Sequence, residues 1–170
     1  AVRTAGVQLN PFNDDDETRV LPIASVHDLD PEGDGSENPG DVGLAIDGDP
    51  TTGWQTSTYF NQPTLGGLKD GVGLVLDLQR SRRVAQIVIT LAGAPTSVEI
   101  FGATNSSSPP EDLNSLTKLG ARANADEKAT INLSGDQSMR YLVVWLTSLP
   151  EIADTRFRGE IREVVVRGSA

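Results

Sequence analysis

GVGLVLDL, residues 71–78, carries an unbroken apolar row at every second position. Val72, Leu74, Leu76 and Leu78 fall on one face of an extended chain, and Gly73, Val75 and Asp77 on the other. Successive side chains of a strand point to opposite faces, so this stretch is predicted to be β. The next run, RVAQIVITL from Arg83 to Leu91, places Ala85, Ile87, Ile89 and Leu91 together. Further out, SVEIFGA (97–103) pairs Val98 with Ile100, and KATINLS (128–134) alternates Ala129, Ile131 and Leu133. MRYLVVWLT (139–147) is apolar on both faces, which suits a central strand covered on both sides. EIREVVVRG (160–168) places Val164 and Val166 on one face and Ile161 and Val165 on the other. On the N-terminal side, VLPIASVHDL (20–29) is expected to be the first strand.

No run of comparable length carries a helical period. Turn signals separate the strands: Gly66-Gly67, Pro109-Pro110, Ser134-Gly135-Asp136 and Pro150. Many short strands with turns between them predict an all-β fold, an antiparallel β-sandwich or jelly roll. An open meander is the alternative. Residues 1–19, with the acidic run 14–17, have no sustained period and are expected to be a leader or linker. Residues 20–170 are expected to be one sandwich domain. The start at Ala1 is read as a processed or excised piece. No apolar run reaches the ~18 residues of a membrane-spanning helix, so no direct membrane insertion of this fragment is expected.

The chain has 170 residues, 14 Lys plus Arg against 24 Asp plus Glu, and a formal net charge of -10. Such a surface repels nucleic-acid phosphates and anionic headgroups and favours cations. With no cysteine, disulfides, thiolate metal sites and a Cys nucleophile are excluded.

AIDGDPTTGW (45–54) crowds Asp47, Asp49, Thr51 and Thr52 onto a turn whose ends are apolar. It is either an ordinary tight loop or a wrap of carboxylate, hydroxyl and carbonyl oxygens around a hard cation, which takes ~6–8 such ligands. A second acidic stretch, DLDPEGDGSENPGD (28–41), nearly meets the EF-hand spacing. Asp30, Glu32 and Asp34 stand at positions 1, 3 and 5, Gly35 at 6 and Asp41 at 12. It departs at Glu37, where an apolar residue is usual, at the short Asp41, and in lacking flanking helices. It is therefore a weaker metal candidate or a solvated loop.

Catalytic machinery is missing from the sequence. His27 is the sole histidine, no G-x-S-x-G elbow occurs, and no pair stands out among the 24 acids. GGLKDGVG (66–73) lacks the ending of a phosphate loop. Trp54 and Trp145 read as core. Tyr59-Phe60, in a polar stretch, and Phe157, between Arg156 and Arg158, are the rings placed for display to a ligand. Arg156, Arg158 and Arg162 form a basic cluster that either meets a ligand or pairs with Asp154 and Glu160.

Ala45-Ile46-Asp47-Gly48-Asp49, Thr52, Trp54 and the closing segment Ile161 to Gly168 resemble the discoidin or coagulation-factor type C superfamily. That resemblance implies a galactose-binding-like jelly roll. It also implies a structural Ca²⁺ held by Asp47, Asp49, Thr52 and Glu163. Three longer segments, at 24–59, 66–78 and 140–150, resemble the C-terminal extracytoplasmic domain of actinobacterial (mycobacterial) MviN-type lipid II flippases. This implies a non-catalytic, extracytoplasmic domain attached to the membrane through a parent protein of peptidoglycan biosynthesis. Its expected partners are cell-wall glycan, a lipid-linked precursor or wall-synthesis proteins, and the isolated domain is expected to be a monomer. The alternatives are a structural or protein-docking domain with no small ligand and, more remotely, a cell-wall hydrolase.

Overall fold

The computed structural model describes residues 18–104, 107–133 and 138–169. In chain order the strands are β1 (Arg19–Leu21), β2 (Ser25–Leu29), β3 (Trp54–Gln55), β4 (Tyr59–Phe60), β5 (Val72–Leu91) and β6 (Thr96–Ala103). They continue with β7 (Thr117–Ala125), β8 (Lys128–Asn132), β9 (Ser138–Ser148), β10 (Glu151–Ala153), β11 (Arg156–Phe157) and β12 (Glu160–Ser169). Among the described residues, helix is confined to the 3-10 turns Pro39–Ala45 and Leu65–Gly67.

The two runs predicted around Leu74 and Ile87 are one strand, β5, bent in its middle. Its first half lies between β2 and β9, with Ser25 opposite Asp77 and Val72 opposite Leu146. Its second half lies between β12 and β8, with Val164 and Ala129 both opposite Ile89. β9 extends the first layer to β6 and β7, while β12 extends the second to β1 and β3; every pairing is antiparallel. The bend folds the layers face to face. Leu74, Leu76, Ile100 and Val144 of one then share a core with Ile87, Ile131, Ile161 and Val166 of the other. This is the expected all-β sandwich of antiparallel strands.

β9 has the two apolar faces that its sequence predicts. Leu142, Val144 and Leu146 enter the central core, while Tyr141, Val143 and Trp145 join Leu29 and Val75 in a second cluster on the outer side. Leu113 and Leu116, from the connection after β6, cover that cluster.

Three expectations are corrected. VLPIASVHDL is two strands in different layers, because Pro22 and the two residues after it break the pairing between β1 and β2. A bulge at Ala85 reverses the alternation of β5, so Val84, not Ala85, faces the core. A bulge at Arg162 turns Ile161 to the same core as Val164 and Val166. The expected leader lies outside the described residues except Thr18 and Arg19, and Arg19 already pairs with Gly168. The turn at Ser134-Gly135-Asp136 also lies outside them.

At Gly73 the central strands β5 and β9 leave no room for a side chain, since a Cβ there would collide with the Val144 carbonyl oxygen. Gly73→Ala is expected to lower unfolding free energy by roughly 1–3 kcal/mol, the usual cost of overpacking, as read by urea denaturation. An unchanged midpoint would contradict that packing.

Candidate functional site

The loop between the Pro39–Ala45 turn and β3 is organised by its own side chains. Asp47 Oδ1 accepts the Asp49 N–H (2.9 Å), and its Oδ2 accepts the Thr52 hydroxyl (2.7 Å). Asp49 Oδ1 accepts both the N–H and the hydroxyl of Thr51, which hold its carboxyl below the usual range. Glu163, from β12, is 115 residues away in sequence, yet its Oε1 accepts the Gly48 N–H at 3.0 Å. Burial first, then the neighbouring Asp47 and Asp49 charges, push the Glu163 carboxyl up, against the pull of that N–H. Asp47, Asp49, Thr52 and Glu163 are therefore gathered at one place. Every side-chain donor they offer is oxygen, and the like charges repel, a chemistry that fits a hard cation. Among the described residues no three His, Cys, Asp or Glu side chains already converge as a ligand set.

Trp54 ends this loop as a fully buried anchor, and its Nε1–H donates to the Glu37 carbonyl at 2.8 Å. The sequence flags Glu37 only as a departure from a metal template. In the structure it is 2% exposed and central. Its Oε2 accepts the Tyr59 hydroxyl (2.7 Å) and the Ser57 N–H (2.9 Å), while its Oε1 lies 3.6 Å from Lys69 Nζ. Lys69 also pairs with Asp30 at 2.8 Å. Burial alone would lower the lysine, but the Asp30 hydrogen bond, Tyr59 and the Glu37 charge outweigh it and hold the ammonium above its usual range. Burial pushes the Tyr59 phenol up to about 12.

This network disperses the second metal candidate. Asp30 faces Lys69, Glu32 accepts the Asp70 N–H, Asp34 accepts the Ser36 N–H, and Asp41 lies exposed in the 3-10 turn. The four acids do not come together. Nor is the stretch simply solvated, because Asp30 and Glu37 turn inward.

β4, β11 and β10 form a separate three-stranded sheet beside the sandwich. Tyr59 and Phe60 part company on it. Tyr59 is 5% exposed and belongs to the core, which corrects the expectation that both rings are displayed. The reason is the strand's alternation together with the Glu37 acceptor beneath it. Phe60 is 53% exposed and stands opposite Arg156 across the strand pair. Phe157 is partly buried against the core. Arg162 pairs with Glu160 at 2.9 Å, whereas among the described residues Arg156 and Arg158 make no ion pair. What remains displayed on this surface is the exposed Phe60 ring, opposite Arg156 in the strand register.

No family model matches the chain. Solved structures match it in fold. The chitosan-binding module 1 of a chitosanase/glucanase from Paenibacillus sp. IK-5 is 18% identical, with 89% of this chain and 100% of that one covered and a TM-score of 0.62. The CBM32 of AlyQ in complex with 4,5-unsaturated mannuronic acid is 17% identical, with 87% and 97% covered and a TM-score of 0.55. A family 89 glycoside hydrolase, CpGH89 of Clostridium perfringens, in complex with GlcNAc-alpha-1,4-galactose, is 17% identical. There 86% of this chain covers 14% of the enzyme, at a TM-score of 0.58. The fold is the galactose-binding-like β-sandwich of CBM32 modules.

The Glu163 environment sets a pH dependence. A carboxyl raised above its unfolded value of 4.5 contributes stability that is fully present below that value and lost as pH rises through the folded one. Glu163→Gln keeps an oxygen acceptor for Gly48 but removes the charge. In chelator it is expected to melt higher than the parent chain at about pH 7, with the gain absent at about pH 4 and below. A difference that does not vary with pH would contradict this.

Proposed function

We propose that this chain is a non-catalytic glycan-binding domain that recognises its ligand on the β4–β11–β10 sheet. The observation that carries the reading is Phe60, exposed on β4 and opposite Arg156, which makes no ion pair among the described residues. An exposed ring packs on the apolar C–H face of a pyranose, and a guanidinium binds its hydroxyls or a carboxylate. Similar modules bind chemically different sugars, as the chitosan-binding and mannuronic-acid-bound neighbours illustrate. The ligand must therefore be inferred from this chain's own side chains. Arg156 and Arg158, on a chain of net charge -10, favour a glycan with carboxylate groups.

Peptidoglycan, whose muramyl sugars carry a carboxyl-bearing ether or an attached peptide, meets that description. The segments resembling the extracytoplasmic domain of MviN-type flippases support the same context. In this proposal the domain lies on the outer side of the membrane, tethered through a parent protein, and meets wall glycan, a lipid-linked precursor or a wall-synthesis protein. The Asp47 loop has a structural part. Asp47, Asp49, Thr52 and Glu163 would hold Ca²⁺, whose charge relieves their mutual repulsion.

A protein-docking role is the second reading. It is favoured by Leu68, 76% exposed on the neighbouring turn, and by the exposed Ile152 of β10.

Two experiments test the proposal. Titration with muropeptides and wall polysaccharides is expected to find an acidic glycan that binds, with affinity falling about tenfold or more for Phe60→Ala, the scale of losing one aromatic anchor. Flat titrations throughout would leave the docking reading in place. Added Ca²⁺ is expected to raise the melting temperature and chelator to reverse the rise, because a ligand bound only by the native state stabilises it. Identical melts in Ca²⁺ and chelator would remove the metal.

A further inference from the structure

Positive charge on this chain is concentrated at one end of the sandwich. The bend of β5 meets the start of β1, the start of β9 and the close of β12 there: Arg83 stands opposite Ser138 and Ser169, and Arg19 opposite Gly168. Arg19, Arg80, Arg82, Arg83, Arg140 and Arg167 gather at this end, six of the 14 Lys and Arg. Arg82 is buried, its Nε–H donating to the Leu78 carbonyl, and Arg140 is held by Asp77. The other four make no ion pair among the described residues, and Arg19, Arg80 and Arg83 are exposed. The segments that build this end, 19–26, 79–87, 130–133, 138–141 and 165–169, contain no Asp or Glu. The acidic run 14–17 and Asp136 adjoin them in sequence and lie outside the described residues.

Val20 gives the second observation. It is 56% exposed and stands opposite Arg167, so an apolar side chain rises beside the cations. Apolar groups flanked by cations suit the boundary between lipid headgroups and acyl chains. The third observation is the path of the chain. β1 and β12, the first and last strands, pair at this end, so a tether at either terminus leaves from beside the arginines. The β4–β11–β10 sheet lies at the other end, where β9 finishes at Ser148 and β12 begins at Glu160. The 11 residues of β9 separate the ends by about 35 Å, against a screening length of about 8 Å at physiological salt. Acids at the far end therefore do not cancel the field of these arginines, although the net charge of the chain is -10.

We propose that the arginine end is a docking surface for a membrane containing anionic phospholipid, on which the domain stands with its β4–β11–β10 sheet turned away. The proposal rests on the reading of a domain held at the outer side of a membrane through a parent protein, but it uses neither Phe60 nor Arg156. Arg80, Arg83 and Arg167 meet lipid phosphates, which guanidinium groups pair through two parallel N–H donors. Val20 enters the headgroup boundary. Docking fixes an orientation that a tether alone does not, because it holds the glycan-facing sheet at the end remote from the lipid.

The test is co-sedimentation of the 170-residue chain with vesicles of phosphatidylcholine, alone or mixed equally with phosphatidylglycerol. The chain is expected to sediment with the anionic vesicles at low salt and to be released as salt rises. Combining Arg80→Gln, Arg83→Gln and Arg167→Gln should weaken binding about tenfold or more, because each cation near an anionic surface adds to the attraction. None of the three has an ion pair among the described residues, so the variant's melt should match the parent's. Lys118→Gln, Arg122→Gln and Lys128→Gln, combined as an equal change of charge elsewhere, should leave vesicle binding near the parent's. The chain has no cysteine, so Ser81→Cys or Thr64→Cys alone carries a polarity-sensitive dye to one end or the other. The dye at 81 is expected to shift on vesicles and the dye at 64 to stay as in solution. No binding to anionic vesicles, equal binding to phosphatidylcholine, an equal loss in the second variant, or a shift at 64 instead of 81 would overturn the proposal. Binding that emerges only when Asp14, Asp15, Asp16, Glu17 and Asp136 are changed to their amides would assign the arginines to the chain's own acids and overturn it too. Failure of the glycan reading would show separately, as flat sugar titrations at the other end.

Discussion

One buried carboxylate ties the loops of this domain together. The Glu37 carbonyl receives the indole N–H of Trp54, the anchor of the Asp47 loop. Its side chain receives the Tyr59 hydroxyl and the Ser57 N–H and faces Lys69, while its own N–H donates to Asp28 Oδ2. Acidic loop, candidate metal loop and display strand thus meet at one residue. A buried charge of this kind is weak evidence of stability, since desolvation offsets much of the attraction, but removing one partner typically costs about 3–5 kcal/mol. What Glu37 provides is position. Tyr59 is drawn inward, so alternation along β4 turns Phe60 outward.

That local device works because the sandwich beneath it is closed by a strand that belongs to both layers. β5 pairs with β2 and β9 before its bend and with β12 and β8 after it. The bend brings β12 alongside the Asp47 loop, so that Glu163 reaches Gly48. On the outer side of β9, Leu113 and Leu116 of the connection after β6 pack over the second cluster.

Much of the fold was legible in the sequence because strand burial writes itself as alternation. The run 71–78 shows one apolar face and 139–147 two, and both lie in central strands. The bulges at Ala85 and Arg162 were not legible, because one inserted residue reverses a face without changing composition. β7 was missed for a different reason: it is a sheet edge, largely exposed, with no clean period. At the candidate site, the grouping of Asp47, Asp49, Thr52 and Glu163 came from resemblance to a family, since spacing alone cannot join positions so far apart. Glu37 left a trace, an acid where the loop template wants an apolar residue. Its partners Tyr59 and Lys69 lie more than 20 residues on and are joined only by tertiary packing.

The central claim is that Phe60 and Arg156 form a glycan-recognition surface. An NMR titration of isotope-labelled protein with solubilised peptidoglycan fragments tests it most directly, because it reports where the ligand lies. Binding there predicts saturable shifts concentrated at Phe60, Arg156 and Phe157, with the β5 and β9 core unmoved. Spectra that stay unchanged, or shifts that avoid the β4–β11–β10 sheet, would contradict it.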